Sequence, residues 1–275
     1  MVNLVKTDYL TLSLFVLIIP YIYEVLGKSL NCLNFSSEIN DVISACKRTN
    51  YILSLTSQNT LIFGDNNNDL IYGDLLFSSV SLNNQVSKIN NFNACFVKKT
   101  LNCCVFNKTE SLNLFIQLLS RKIKPQRGTI TLDNTSIYDF SKEVYSHNIS
   151  IVYKDSFFFD DSIMNNLKIV NNSKREIVKT LKLLDIYNEI NDLNNGLQSK
   201  PSELKSSFTI FLLNLARAML TNAEFIIIED LSLVSNPNLL QKLNKILLKI
   251  TKYRSVIICS TYGLNLTNCK EIEIN

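Results

Sequence analysis

A chain of 275 residues holds one large domain or two small ones and is long enough to bury a substantial core. Its hydrophobic content of 46% and mean hydropathy of +0.10 are high for a water-soluble protein and fit a chain linked to a membrane. The net charge of +4 comes from scattered lysines, not from a basic block interleaved with aromatics, so the composition gives no ground for nucleic-acid binding.

Residues 10–23 are almost wholly apolar, broken by Thr11, Ser13 and Pro20, with Lys6 and Asp8 before them and Glu24 after. A spanning helix needs ~20 apolar residues, so three readings stay open. The run is a membrane helix that extends to Leu26, a signal-peptide core, or a buried helix. No small-x-small cleavage site follows, which favours the membrane helix. Residues 36–55 read as a further helix, with Val42, Ile43, Cys46, Ile52 and Leu53 at helical spacing. Residues 58–74 are polar and Asn-rich, and mark a linker and domain boundary. The expected division is an N-terminal helical part over residues 1–57 and a second domain over 75–275.

Alternation through Leu76, Ser78, Val80 and Leu82 predicts antiparallel strands within residues 75–96. Residues 101–106, Leu-Asn-Cys-Cys-Val-Phe, read as a buried strand, and residues 112–123 as a helix with Leu112, Phe115, Ile116 and Leu119 on one face. Pro125 ends that helix, Gly128 turns the chain, and residues 130–133 and 150–153 are strand-like. Helices are predicted over 163–167, 174–190 and 208–220, and an amphipathic one after Pro237 through Leu239, Leu240, Leu243, Leu247 and Ile250. Residues 225–230, Phe-Ile-Ile-Ile-Glu-Asp, are mostly β-branched and end in two carboxylates. Such a run predicts a strand buried on both faces of a parallel sheet, with its acids at the ligand-binding rim. The plainer reading is a core strand that stops at two solvated acids. Residues 255–259 make one more apolar strand. Strands alternating with helices imply a parallel sheet built from βαβ units, with the block 163–220 as a helical subdomain hung on it.

Cysteines fall at 32, 46, 95, 103, 104, 259 and 269, without metal-ligand spacing. The odd number and the apolar settings of Cys103, Cys104 and Cys259 predict free thiols in a reducing compartment. Sequons such as Asn107-Lys-Thr109 are expected by chance in so Asn-rich a chain. A secreted, disulfide-rich protein is a distant alternative that non-reducing gels would test.

The order of these segments resembles the nucleotide-binding domain of ABC transporters, specifically exporters whose membrane helices precede the ATPase. Pro125-Gln-Arg-Gly128-Thr-Ile-Thr-Leu-Asp133-Asn is similar to that family's Pro-x-Ser-Gly-x-Ile-x-Ile-Asp-Gly. The stretch from Ile151 to Leu167 resembles its Q-loop segment, and Leu215-Ala-Arg-Ala-Met-Leu220 resembles Leu-Ala-Arg-Ala-Leu-Leu after its signature. Residues 225–230 then fall on Walker B and residues 255–260 on the strand before the switch histidine. Several weak matches in the right order are specific where any single one is weak. The resemblance implies an α/β, P-loop NTPase-like, mostly parallel sheet with an antiparallel β edge and a helical subdomain, preceded by an N-terminal membrane helix. It implies ATP and Mg²⁺ as cofactors and another nucleotide-binding domain or half-transporter as partner in a homo- or heterodimer. It also implies a membrane location, with residues 75–275 cytoplasmic or on the ATP-containing side of an organelle membrane. The chain is too short for six membrane helices and so resembles a fragment or a reduced half-transporter.

A P-loop works because glycine lets backbone N–H groups converge on phosphate while a lysine supplies charge. Aligned between the strand end at Val105 and Gly128, the Walker A positions are Phe106, Asn107, Lys108, Thr109, Glu110, Ser111, Leu112, Asn113 and Leu114. Every glycine is replaced, Leu112 stands for the phosphate lysine, and Asn113 stands for the Mg²⁺-binding hydroxyl. Lys108-Thr109 imitates the Lys-Ser/Thr pair four residues too early. Lys154 is at the Q-loop glutamine, and the adenine-stacking aromatic falls near Asn83 or Asn84. The signature becomes Lys205-Ser206-Ser207-Phe208-Thr209, with Ser206 and Ser207 as the positions facing a partner's nucleotide. Glu229 takes the Mg²⁺-associated position, Asp230 the general-base position, and Thr261 the switch-histidine position. The single histidine, His147, lies outside these motifs. Phosphoryl transfer depends on positioning and charge neutralisation, so these replacements predict the loss of hydrolysis. The expected function is an ATP-binding subunit of an exporter, coupling energy to transport but catalytically degenerate. Two alternatives stand beside it: a non-catalytic interaction protein that keeps only the scaffold, and an active ATPase with unorthodox loops.

Overall fold

The computed structural model describes residues 12–56, 61–67, 73–83, 88–155, 157–231, 236–264 and 266–274. The chain divides into two compact units, Met1–Thr60 and Leu61–Asn275.

In the first unit a single helix, α1 (Leu12–Thr56), runs for 45 residues and continues through Pro20. At 1.5 Å per residue it is ~68 Å long. The two stretches read separately from sequence are therefore one element. Val16, Leu17, Tyr21, Tyr23, Val25 and Leu26 are all exposed, and positions so close together point to every side of the axis. The expected membrane helix over residues 10–26 is not supported. Among the described residues no helix is long and apolar enough to cross a membrane. The apolar run gives way to Glu24 and Lys28, which pair at 2.7 Å, before it reaches the ~20 residues a bilayer requires.

The second unit opens with β1 (Leu75–Asn83), β2 (Lys88–Phe96) and β3 (Leu101–Phe106), then α2 (Thr109–Leu119), β4 (Arg127–Leu132) and β5 (Thr135–Ser136). Next come α3 (Lys142–Asn148), β6 (Ile149–Val152), α4 (Ile163–Lys168), α5 (Lys174–Leu183), α6 (Tyr187–Asn191) and α7 (Ser207–Leu220). It closes with β7 (Phe225–Glu229), α8 (Pro237–Ile250), β8 (Ser255–Ser260) and β9 (Cys269–Ile274).

Two sheets result. β2-β1-β4-β5 is antiparallel, and β6-β7-β8-β3-β9 is parallel throughout. β7 lies inside the parallel sheet, and its alternate residues feed two different cores. Phe225 and Ile227 join Phe106, Phe115 and Leu118 beneath the antiparallel sheet, while Ile226 and Ile228 join Leu212, Leu215, Leu243 and Leu247 on the helical side. That division is why the run is apolar at every position instead of at every second one. Each of these four β7 side chains is fully buried.

Local chemistry accounts for the departures from simple periodicity. In β1 the buried residues are Leu75 and Phe77, then Val80 and Leu82. The phase changes at Ser79, which has φ +50 and sits at a register shift against both neighbours. Sequence alternation places Leu76 and Ser78 on one face with Val80, and the bulge reverses that first half. The predicted helix over 174–190 is two helices, because Asp185 at φ +58 breaks it between α5 and α6. Gly128 takes φ +78 at the start of β4, and a Cβ there would collide with the carbonyl oxygens of Ser78 and Ser79.

Two expectations about the cysteines divide. Cys104 and Cys259 are free and buried, paired in register on β3 and β8. Cys103, read as a free thiol, is instead bonded to Cys269. Cys269 lies beside Leu101 on the neighbouring strand, one side-chain repeat from Cys103 and on the same face, with Cα atoms 6.3 Å apart. Sequence reading missed β9, and with it the partner.

Leu61–Asn67 belongs to this second unit. The N–H of Ile62 donates to the Arg121 carbonyl at 2.9 Å, and those of Gly64 and Asn66 donate to Phe140 and Asp139 at 3.1 and 3.0 Å. Arg121 is fully buried and holds this strap from inside. Its guanidinium donates to the carbonyls of Ile62, Ile137 and Phe140 at 2.6, 2.8 and 2.9 Å, between the rings of Phe63 and Tyr145. Burial lowers its pKa from the usual arginine range.

Candidate functional site

All five strands of the parallel sheet end on one rim, because all run the same way. The residues just beyond them are Lys154 after β6, Asp230 after β7, Thr261 after β8 and Asn107 after β3. Such a rim is where open α/β sheets bind ligands. The sheet thus brings Lys154, Glu229, Asp230, Thr261 and Asn107 to one edge.

The β3–α2 junction is the decisive local feature. β3 ends at Phe106, Asn107 and Lys108 form the turn, and α2 begins at Thr109, with the Leu112 N–H already bonded to the Lys108 carbonyl at 3.2 Å. A phosphate-binding loop spreads some eight residues between strand and helix so that successive N–H groups face inward. Here two residues make the whole connection. Thr109, Glu110, Ser111, Leu112, Asn113 and Leu114 are helical, not looped. Leu112 is 1% exposed and Leu114 is buried, packed with Phe106 and Phe115. The Ser111 hydroxyl donates to the Lys88 carbonyl at 3.3 Å. Asn113 is exposed, and Glu110 puts a negative charge in the first turn. No glycine remains in residues 106–114 to hold the backbone open, so the helix can start early.

On the far side of the rim, Lys154 closes over the β7 acids. Its Nζ lies 2.9 Å from Asp230 Oδ2, and its backbone N–H donates to Glu229 Oε2 at 3.2 Å. The Asp230 side chain is 13% exposed and that of Lys154 45%. The hydrogen bond and charge of Asp230 raise the Lys154 pKa. Asp230 is held in a left-handed turn, φ +53, by its N–H bonded to the Cys259 carbonyl at 2.9 Å. Thr261 is exposed next to this pair, and Tyr262, whose pKa is raised by burial and then by Asp230, completes the surroundings.

Ser206 and Ser207 do not join this edge through any hydrogen bond. Ser206 caps α7, accepting the Thr209 N–H at 3.3 Å, and Ser207 is exposed in the first turn. Phe208 is buried and stacks on Phe211 in the helical core. Asn83 ends β1 bound to Gln126, and Asn84 lies outside the described residues. His147 is exposed on α3.

Sequence reasoning missed the groups that fix the segment after β6. Asn214 Nδ2 donates to the Tyr153 carbonyl at 3.2 Å, and Arg217 donates to the Phe157 carbonyl at 2.7 Å and to Asn214 Oδ1 at 2.8 Å. The signal was present, since Arg217 stands inside Leu-Ala-Arg-Ala. Its role required the tertiary placement of α7 against β6.

The residues present do not fit ATP with Mg²⁺ in the usual manner. Helix and packed leucine stand where the resemblance puts a phosphate cradle, and Asp230, at the general-base position, already carries an ammonium partner. Cavities of about 330 and 440 Å³ lie elsewhere, one against Lys99, Asn102 and Asn268, the other against Lys179, Met219 and Arg254.

No family model matches the chain. Its curated relatives are ABC transporter ATP-binding proteins of exporter type. A multidrug resistance-like ATP-binding protein, MdlA, of Buchnera aphidicola subsp. Schizaphis graminum is 32% identical over 139 residues, 47% of this chain and 24% of that protein. An ATP-dependent lipid A-core flippase of Pasteurella multocida is 23% identical over 250 residues, covering 88% of this chain and 43% of the flippase. Among solved structures, a bacterial Atm1-family ABC exporter with ATP bound superposes with a TM-score of 0.62 at 17% identity, over 73% of this chain and 37% of that one. The chain therefore spans less than half the length of each of these proteins, and the likeness to the exporter structure shows the fold.

Proposed function

We propose that this chain, a relative of ABC-exporter ATP-binding proteins, serves in a transporter assembly as a nucleotide-binding-type domain that does not hydrolyse ATP. The observation that carries the reading is the two-residue β3–α2 junction with Leu112 packed in the core. Phosphoryl transfer needs a cradle of N–H groups, a cation on the β- and γ-phosphates and a placed metal. Leu112 and Asn113 supply neither charge nor hydroxyl, and Lys108 precedes the helix by one residue. The domain keeps the two-core sheet and the helical subdomain.

Its partner is a second nucleotide-binding domain on a half-transporter. The chain reaches the membrane through that partner, with residues 75–275 on the ATP-containing side. The test has two arms. Purified full-length chain is titrated with labelled ATP, with and without Mg²⁺, and assayed for phosphate release. The expected result is no turnover and no saturable binding at micromolar nucleotide; micromolar binding with turnover overturns the reading. In the second arm, the tagged chain is isolated from detergent-solubilised membranes of its own cell. Recovery with an intact half-transporter supports a transport role, and full release of the chain by carbonate with no such partner favours an interaction protein that keeps only the scaffold.

A further inference from the structure

We infer that the Lys154 ammonium is the resident cation of the β7 carboxylates, so that this rim excludes a divalent metal. The inference rests on reading the rim as the counterpart of a nucleotide site, and it concerns the metal alone.

The parallel register places the lysine. Val152 pairs with Ile228, so two residues further along the two strands Lys154 comes level with Asp230. The pairing at 2.9 Å follows from that register together with the left-handed turn at Asp230. Glu229 is engaged as well, through the Lys154 N–H at 3.2 Å. Both acids of the strand end are thus answered by one residue, the first by its backbone and the second by its side chain.

Mg²⁺ and Mn²⁺ take carboxylate oxygens at about 2.1 Å and want several such oxygens around them. A metal on Asp230 Oδ2 would share that oxygen with an ammonium 2.9 Å away. Like charges so close on a mostly buried acid disfavour one another. The lysine is tethered to its site and the metal is not, so the lysine prevails. The same double contact ties the segment after β6 to the sheet edge, a segment also held by Asn214 and Arg217. Asp230 therefore anchors a loop.

The test uses full-length protein and Mn²⁺ alone, followed by the electron paramagnetic resonance signal of the free ion. Wild-type protein is expected to show no saturable binding below about 1 mM, the weak end of carboxylate sites. Lys154→Gln removes the ammonium from Asp230 while keeping the backbone N–H on Glu229, and should bind Mn²⁺ at least tenfold more tightly than wild type. Lys154→Arg keeps the charge and should behave as wild type, and adding Asp230→Asn to Lys154→Gln should abolish the gain. The Lys154 side chain is 45% exposed, so these changes leave the core intact. The inference is overturned if Lys154→Gln binds no better than wild type, if Lys154→Arg binds as Lys154→Gln does, or if wild-type protein binds Mn²⁺ through Asp230. No nucleotide is present, so ATP binding by the wild-type chain would defeat the proposed function without moving any of these results.

Discussion

Leu112 is a position where packing and charge compete. It stands where a phosphate lysine stands in the resembled family, yet it is 1% exposed and packed against Phe106 and Phe115. Restoring the lysine alone should not restore function. Leu112→Lys would bury an unpaired ammonium and is expected to destabilise the fold by roughly 3 kcal/mol or more, read as a fall in the urea midpoint, with no ATP binding gained. A Leu112→Lys protein as stable as wild type would mean that this helix opens as a loop. Thiol chemistry gives a second residue-level expectation. Burial pushes the Cys259 thiol well above its ordinary range, with Cys104 against it, whereas Cys46 is exposed. Iodoacetamide at neutral pH should modify Cys46 in native protein and reach Cys104 and Cys259 only after unfolding, as peptide mass mapping would reveal. Rapid native labelling of Cys259 would contradict its place in the core.

At the scale of elements, the strap Leu61–Asn67 depends on one buried cation. Arg121→Met would leave the carbonyls of Ile62, Ile137 and Phe140 without their donor. The expected cost is about 3 kcal/mol, with the Ile62 and Gly64 amides exchanging hydrogen far faster than those of β7. Unchanged exchange at Ile62 would show that the strap is held by its backbone bonds alone. Sequence made some of these elements legible and hid others for definite reasons. β7 was readable because burial on two faces demands an unbroken apolar run. β9 was not, because Lys270, Glu271 and Glu273 read as a solvated stretch, although they belong to an edge strand on which charge is tolerated. The early start of α2 is hidden because its first turn, Thr109-Glu110-Ser111, is polar and reads as loop. At the site, the replacement of each polar position could be read one residue at a time. The closure of Lys154 onto Asp230 could not, since it depends on the register between β6 and β7, which no local pattern encodes.

Taken whole, the second unit sets a rim that carries the Lys154–Asp230 pair on an apolar framework of two cores. Cores on both faces of the parallel sheet hold it together. The bond between Cys103 and Cys269 joins β3 to the edge strand β9 across a sequence separation of 166. Removing it with Cys269→Ser is expected to cost about 2–4 kcal/mol, measured by thermal melting in parallel with reduced wild type. That bond also has a consequence for breakage. A protease that severs the backbone once anywhere between those two cysteines yields two fragments still covalently joined. On a denaturing gel the clipped molecule should run as one band until dithiothreitol is added, and then fall apart into two.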